Sequence, residues 1–169
     1  SEMNGFNHIY LYGMDGKTKT QISKGDYEVT EINGVDEVNK QVYYTMAYPR
    51  PMDRNVFVTD FSGKKTKQLT SGEAWNAAEF NKSFTKMAVR TSTINTPASA
   101  VLYNLAINKK KEVTTGIVKQ LGDNAKLKAK IAEYETGKSE FVKIPNSKGD
   151  TLNGWILKPA NFDPLKKYP

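Results

Sequence analysis

Thr20-Gln21-Ile22-Ser23-Lys24-Gly25-Asp26 and Lys67-Gln68-Leu69-Thr70-Ser71-Gly72-Glu73 are two versions of one segment, set 47 residues apart. Working outward, the likeness continues. Asn7-His8-Ile9-Tyr10-Leu11-Tyr12 leads to the turn dipeptide Asp15-Gly16 before the first copy, and Asn55-Val56-Phe57-Val58 leads to Ser62-Gly63 before the second. Gly16 and Gly63, Gln21 and Gln68, Ile22 and Leu69, and Gly25 and Gly72 all share the same offset. A weaker third copy, 44 residues further on, runs from Ala100-Val101-Leu102-Tyr103 to Val113-Thr114-Thr115-Gly116. A period in the mid-forties built of strand formers, with no helical pattern inside it, is the size of one four-stranded propeller blade.

The strand-forming runs then fall into place. One blade spans Glu28–Val35, Gln41–Ala47, Asn55–Asp60 and Lys65–Leu69, and its successor spans Asn76–Asn81, Lys86–Thr91, Ala100–Leu105 and Glu112–Thr114. The first 25 residues supply only the last two strands of an earlier blade. The expected fold is therefore mainly β: about two and a half four-stranded antiparallel blades, fewer than the roughly four that close a ring. Pro49, Pro51 and Pro97 are expected in the connections between second and third strands, where no ladder donor is needed. Trp75 and Trp155, in or beside predicted strands, are expected in the core.

Composition narrows the chemistry. Of 169 residues, 38% are hydrophobic and 25% charged, a globular balance. Cysteine is absent, so disulfides and thiolate metal sites are excluded. One histidine, His8, cannot make a zinc site. The acids Asp15, Asp26, Asp36, Glu37, Asp53 and Asp60 lack calcium-loop spacing, and no phosphate-binding glycine motif occurs, so no metal or cofactor is expected. The net charge of +7 sits largely on turn lysines such as Lys17, Lys19, Lys64 to Lys67 and Lys109 to Lys111, and reads as a solvated surface that also discourages strand-edge pairing. No apolar run approaches the ~18 residues of a membrane span.

After Gly116 the repeat is expected to stop. Asp123 to Tyr134 reads as a helix, with Asp123 or Asn124 at its N-cap, Leu127 and Ile131 on one face, and Gly137 as its stop. Two strands follow, Glu140–Ile144 and Leu152–Leu157, joined by the turn Asn146-Ser147-Lys148-Gly149-Asp150. Lys158 to Pro169 is basic and punctuated by proline, and reads as a chain that continues into another element.

Four segments carry a resemblance. They are Gly5-Phe6-Asn7-His8-Ile9-Tyr10-Leu11-Tyr12; Lys24-Gly25-Asp26-Tyr27-Glu28-Val29-Thr30; Leu121-Gly122-Asp123-Asn124; and Leu152-Asn153-Gly154-Trp155-Ile156-Leu157-Lys158-Pro159, with Asn161-Phe162-Asp163 and Lys166-Lys167-Tyr168-Pro169. In order along the whole chain they resemble the dipeptidyl peptidase IV family of serine exopeptidases, relatives of prolyl oligopeptidase, which join a β-propeller to an α/β-hydrolase domain. The resemblance implies that residues 1–116 are the C-terminal blades of a propeller. Residues 117–169 would then be the linker helix and the first strands of the hydrolase domain. It also implies a periplasmic parent that removes Xaa-Pro or Xaa-Ala dipeptides from peptide N-termini.

No catalytic or substrate-binding residue carries over. The chain has no Gly-x-Ser-x-Gly, and no glutamate pair matches the family's amine-binding pair. His8 stands where the second repeat copy has Asn55, which favours a structural hydrogen-bonding role over a catalytic base. Three functions compete. The first is the access-gating part of an aminodipeptidase, inactive alone, whose partners are peptide substrates and its own hydrolase domain. The second is a non-catalytic propeller docking module. The third, a nucleic-acid binder, requires exposed aromatics interleaved with lysines and ranks last, so neither nucleic acid nor membrane insertion is expected. An incomplete ring would also leave strand edges free to pair with another chain, so an oligomer is expected.

Overall fold

The structure is a computed structural model that describes residues 1–168; Pro169, the last residue of the C-terminal match, lies outside the described residues. The first strands are β1 Tyr10–Tyr12, β2 Lys19–Gln21, β3 Val29–Asp36, β4 Gln41–Met46, β5 Asn55–Asp60 and β6 Lys67–Gln68. They are followed by β7 Trp75–Phe80, β8 Lys86–Thr93, β9 Thr96–Ile107 and β10 Val113–Gly122, then helix α1 Ala125–Ala132 and strands β11 Ser139–Pro145 and β12 Thr151–Leu157. The sheets are β1-β2, β3-β4-β5-β6, β7-β8-β9-β10 and β11-β12. Two complete four-stranded meanders follow a half-blade, and together they form part of a propeller.

The middle blade explains why the repeat is so apolar. Its strands β4 and β5 are buried at every position but Asp60, because neighbours cover both faces of the sheet. The pleat divides their side chains. Tyr43, Val56 and Val58 pack against Met87, Val89, Leu105 and Val113 of the following blade. Val42, Tyr44, Met46 and Phe57 join Ile22 and Val29 on the opposite face. Each such apolar side chain contributes roughly 1.5–3 kcal/mol of burial free energy. Tyr43 also stacks on Phe84 with ring centroids 5.0 Å apart and planes 3° from parallel.

One turn design recurs. In Gly13–Gly16, Asp60–Gly63, Asn81–Phe84, Asn108–Lys111 and Asn146–Gly149 the amide of the fourth residue donates to the carbonyl of the first, at 2.9 to 3.2 Å. The fourth residue is left-handed each time, with φ of 68°, 68°, 50°, 62° and 91°. This is a β-turn closed by a left-handed bulge residue, a common way to join antiparallel strands. Where the first residue is Asp or Asn, its side chain accepts amides beyond the turn: Asp60 takes Lys64 and Lys65 at 3.0 and 3.1 Å. Burial alone would raise the Asp60 carboxyl, but the Ser62 hydroxyl and these two amides hold it below its ordinary value.

The structure corrects several expectations. The third copy is displaced: its Asn108–Lys111 turn matches Asp60–Gly63 at 48 residues rather than 44. Its outer strand, expected over Glu112–Thr114, runs from Val113 to Gly122, opposite Ala100, with two irregularities that let it twist. Pro97 lies inside β9, as its second residue, not in a connection. Trp75 is 51% exposed and Trp155 64% exposed, so neither is a core residue. Helix α1 is shorter than Asp123–Tyr134 and ends at Ala132 with Glu133 at its C-cap, so Gly137 does not stop it. Asn124 is the N-cap residue, with a left-handed backbone, φ 53°. Gly137 has another role: a Cβ there would run into the backbone carbonyl of Lys158, where the chain leaves β12.

The chain divides into two compact units. The first holds Ser1–Thr93 and Ala98–Asp123, which is the blade material except the first two residues of β9. The second holds Ile94–Pro97 and the chain from Asn124 onward. Within it, Asn95 bonds both backbone groups of Ser139 at 2.8 and 2.9 Å, and β11 and β12 pair in full register from Ser139↔Leu157 to Pro145↔Thr151.

Candidate functional site

His8 sits at the end of the half-blade, 4% exposed. Its Nε2 is 3.0 Å from the carbonyl oxygen of Gly25, and its Nδ1 is 3.1 Å from Ser23 Oγ. A carbonyl can only accept, so Nε2 carries a proton; in the neutral ring Nδ1 then accepts from the Ser23 hydroxyl. Ser23 Oγ in turn accepts the Ile9 amide at 2.9 Å. A serine and a histidine thus touch, yet the pair cannot work as nucleophile and base. Ser23 is 1% exposed, both ring nitrogens are engaged, and no carboxylate orients the ring.

The second repeat copy explains the pair. Asn55 Nδ2 donates to the Gly72 carbonyl at 3.1 Å and to Tyr48 at 2.7 Å, while Asn55 Oδ1 accepts from Thr70 Oγ1 at 2.9 Å. Thr70 Oγ1 accepts the Val56 amide at 2.9 Å. His8-Ser23-Gly25 and Asn55-Thr70-Gly72 are therefore one lock in two chemistries, fastening the third strand of a blade to the loop that leaves its fourth. The link to the next blade repeats at the same spacing. The Val29 amide donates to Asn7 at 2.8 Å, and the Asn76 amide donates to Arg54 at 3.0 Å. Ser23 and Thr70 share the 47-residue offset, and that was the signal available in the sequence.

Beside the second lock lies a charged cluster that the sequence did not reveal. Arg50 grips Asp53 with two bonds, of 2.8 and 2.9 Å, and reaches Glu73 at 2.8 Å. Asp53 is buried and Glu73 exposed. The Asp53 bond raises the Arg50 pKa further above its ordinary value. The Arg54 guanidinium stands 4.6 Å from the Trp75 ring centroid, which gives that exposed indole its partner. A cleft of about 430 Å³ brings Glu31 of β3, Glu79 of β7 and Arg90 of β8 to one opening beside Ala77 and Ala100. Two carboxylates and a guanidinium can bind polar or charged groups there, and no serine hydroxyl lines the cleft. Among the described residues no group of three or more acids or His, drawn from Asp15, Asp26, Asp36, Glu37, Asp53, Asp60 or any others, could hold a metal ion.

Comparison with known proteins gives a consistent result. The family described as the dipeptidyl peptidase IV (DPP IV) N-terminal region matches residues 1–98. Dipeptidyl peptidase 4 of Arthroderma otae is 30% identical over the whole chain, and that of Trichophyton rubrum 31%. This chain spans about a fifth of those relatives, 21% of each. The crystal structure of Porphyromonas gingivalis dipeptidyl peptidase 4 superposes with a TM-score of 0.85 at 31% identity, over 100% of this chain and 23% of that one.

Proposed function

From a chain that belongs to the dipeptidyl peptidase IV family, we propose a segment of a serine dipeptidyl aminopeptidase that removes N-terminal Xaa-Pro or Xaa-Ala dipeptides. In this reading the blades form part of the wall that restricts access to the catalytic cavity. Helix α1 and the β11-β12 hairpin are the linker and first strands of the hydrolase domain. The nucleophile, base and acid come from sequence outside these 169 residues. The observation that carries the reading is continuity: the similarity to dipeptidyl peptidases 4 covers the blades, the helix and the hairpin in one match over the whole chain. A propeller used only for docking has no need of the second compact unit.

The test is hydrolysis of a Gly-Pro chromogenic substrate. The full-length protein is expected to release the chromophore and the isolated chain to release none. A full-length protein that is folded but inert towards all such dipeptide substrates would favour the docking module instead. Activity from the isolated chain would overturn the division of labour.

A further inference from the structure

The turns β1–β2, β3–β4, β5–β6, β7–β8 and β9–β10 all lie at one end of the blade stack. Register places Asp36, Gln41 and Asp60 side by side at that end of the middle blade. Gln41 Nε2 and Lys65 Nζ reach the carbonyls of Lys111 and Lys110, which brings in the β9–β10 turn. The Leu105 amide bonds Thr85 O and aligns the β7–β8 turn. The Gly13–Gly16 turn is the repeat equivalent of Asp60–Gly63.

Every lysine before Asp123, apart from Lys24 and Lys119, lies in one of these turns or on the first residue of the strand that follows. Eleven exposed lysines thus share one end with five carboxylates, and this accounts for most of the net charge of +7. Four of the five are occupied internally: Asp15 accepts the Lys17 amide, Asp36 accepts from Asn39, Asp60 closes its own turn, and Glu112 accepts from Asn108. Two apolar side chains protrude among the lysines. Met14 is fully exposed and Val38 is 89% exposed, the two highest values for a large hydrophobic residue in the blade unit. Both sit in turns at the basic end.

Lysines alone would suit any polyanion. Apolar turn residues standing among them gain nothing from a water-soluble polymer, but they gain free energy by entering a headgroup layer. We propose that the lysine-bearing turn end of the blades is a peripheral docking surface for an anionic lipid bilayer, held by Lys17, Lys40, Lys64, Lys82, Lys109 and Lys110, with Met14 and Val38 entering the interface. No helix among the described residues is long and apolar enough to cross a membrane; this contact is superficial.

The test is co-sedimentation of the full chain with vesicles of phosphatidylcholine alone and of phosphatidylcholine with an equal part of phosphatidylglycerol. Binding is expected only to the second and should weaken steeply as salt rises. The combined Lys64→Glu, Lys109→Glu and Lys110→Glu variant should bind at least about tenfold more weakly. The Met14→Ser, Val38→Ser variant should bind these vesicles about fivefold more weakly while keeping its affinity for soluble polyphosphate. Circular dichroism confirms that each variant is folded. Should the lysine variant not fold, the salt titration of the unmodified chain and the serine variant decide. Failure to bind the anionic vesicles overturns the proposal. So does vesicle binding untouched by the two serines, which would make the partner a soluble polyanion.

Discussion

The lock at His8 and the lock at Asn55 occupy equivalent places and differ in almost every atom that makes them. An imidazole and a serine fasten the half-blade; an amide and a threonine fasten the middle blade. Their surroundings differ as well. His8 closes a two-stranded sheet, whereas Asn55, 0% exposed, also accepts from Asn76 of the next blade at 3.1 Å. The repeat thus preserves a pattern of donors and acceptors and lets residue identity drift. What the second copy adds is a side-chain link to the next blade.

That contrast can be broken from the outside in. The middle blade buries Tyr43 and Tyr44, and burial pushes both phenols up to about 12. A phenol whose pKa is raised by folding contributes stability that is complete below its unfolded value near 10 and is lost as pH climbs through the folded one. Each contributes roughly 2–3 kcal/mol. Melting temperature should therefore hold up to about pH 10 and collapse towards pH 12, with phenolate absorbance rising together with unfolding. Ionisation of all tyrosines near pH 10 with the fold intact would contradict this burial.

A second probe uses equivalent glycines. Gly16 and Gly63 share φ 68°, but a Cβ at Gly16 meets open space while one at Gly63 would come within 2.5 Å of the Ile22 carbonyl oxygen. Gly16→Ala should cost about 1 kcal/mol for the left-handed backbone, and Gly63→Ala about 3 kcal/mol or more because the half-blade must move away. Equal losses in denaturant melts would mean that the two turns are equally free. The mildest probe exchanges the locks. His8→Asn should cost under about 1 kcal/mol, whereas Asn55→Ala, which strands several buried partners, should cost about 2 kcal/mol. If His8→Asn proves as damaging as Asn55→Ala, the chemical equivalence fails.

Much of the fold was legible because its signals were periodic. The 47-residue offset and the apolar runs of Val42–Met46 and Val56–Val58 led to the blades, and the bounds of β5 are those expected, Asn55–Asp60. What stayed hidden depends on contacts remote in sequence. Trp75 looked like core because it adjoins a predicted strand; its half-exposed ring instead faces Arg54, a residue of the preceding blade's connection. Lys111 and Phe84 fill left-handed positions where two other turns of the blades use glycine, so a search for glycine misses them and misaligns the third copy. Gly137 read as a helix stop, although what needs glycine there is a carbonyl twenty-one residues later. The Arg50–Asp53–Glu73 cluster had no motif to announce it.

The inter-blade bonds from Val29 to Asn7 and from Asn76 to Arg54 recur at the same 47-residue step and use only backbone atoms on both sides. An asparagine amide reinforces each joint, Asn7 Nδ2 on the Val29 carbonyl at 2.8 Å and Asn76 Nδ2 on the Arg54 carbonyl at 2.9 Å, but from opposite sides, so only the backbone bond is the repeated element. Inserting or deleting one whole period would present identical couplings to both neighbours, so genetic duplication could change the number of blades in such a ring without inventing a new interface.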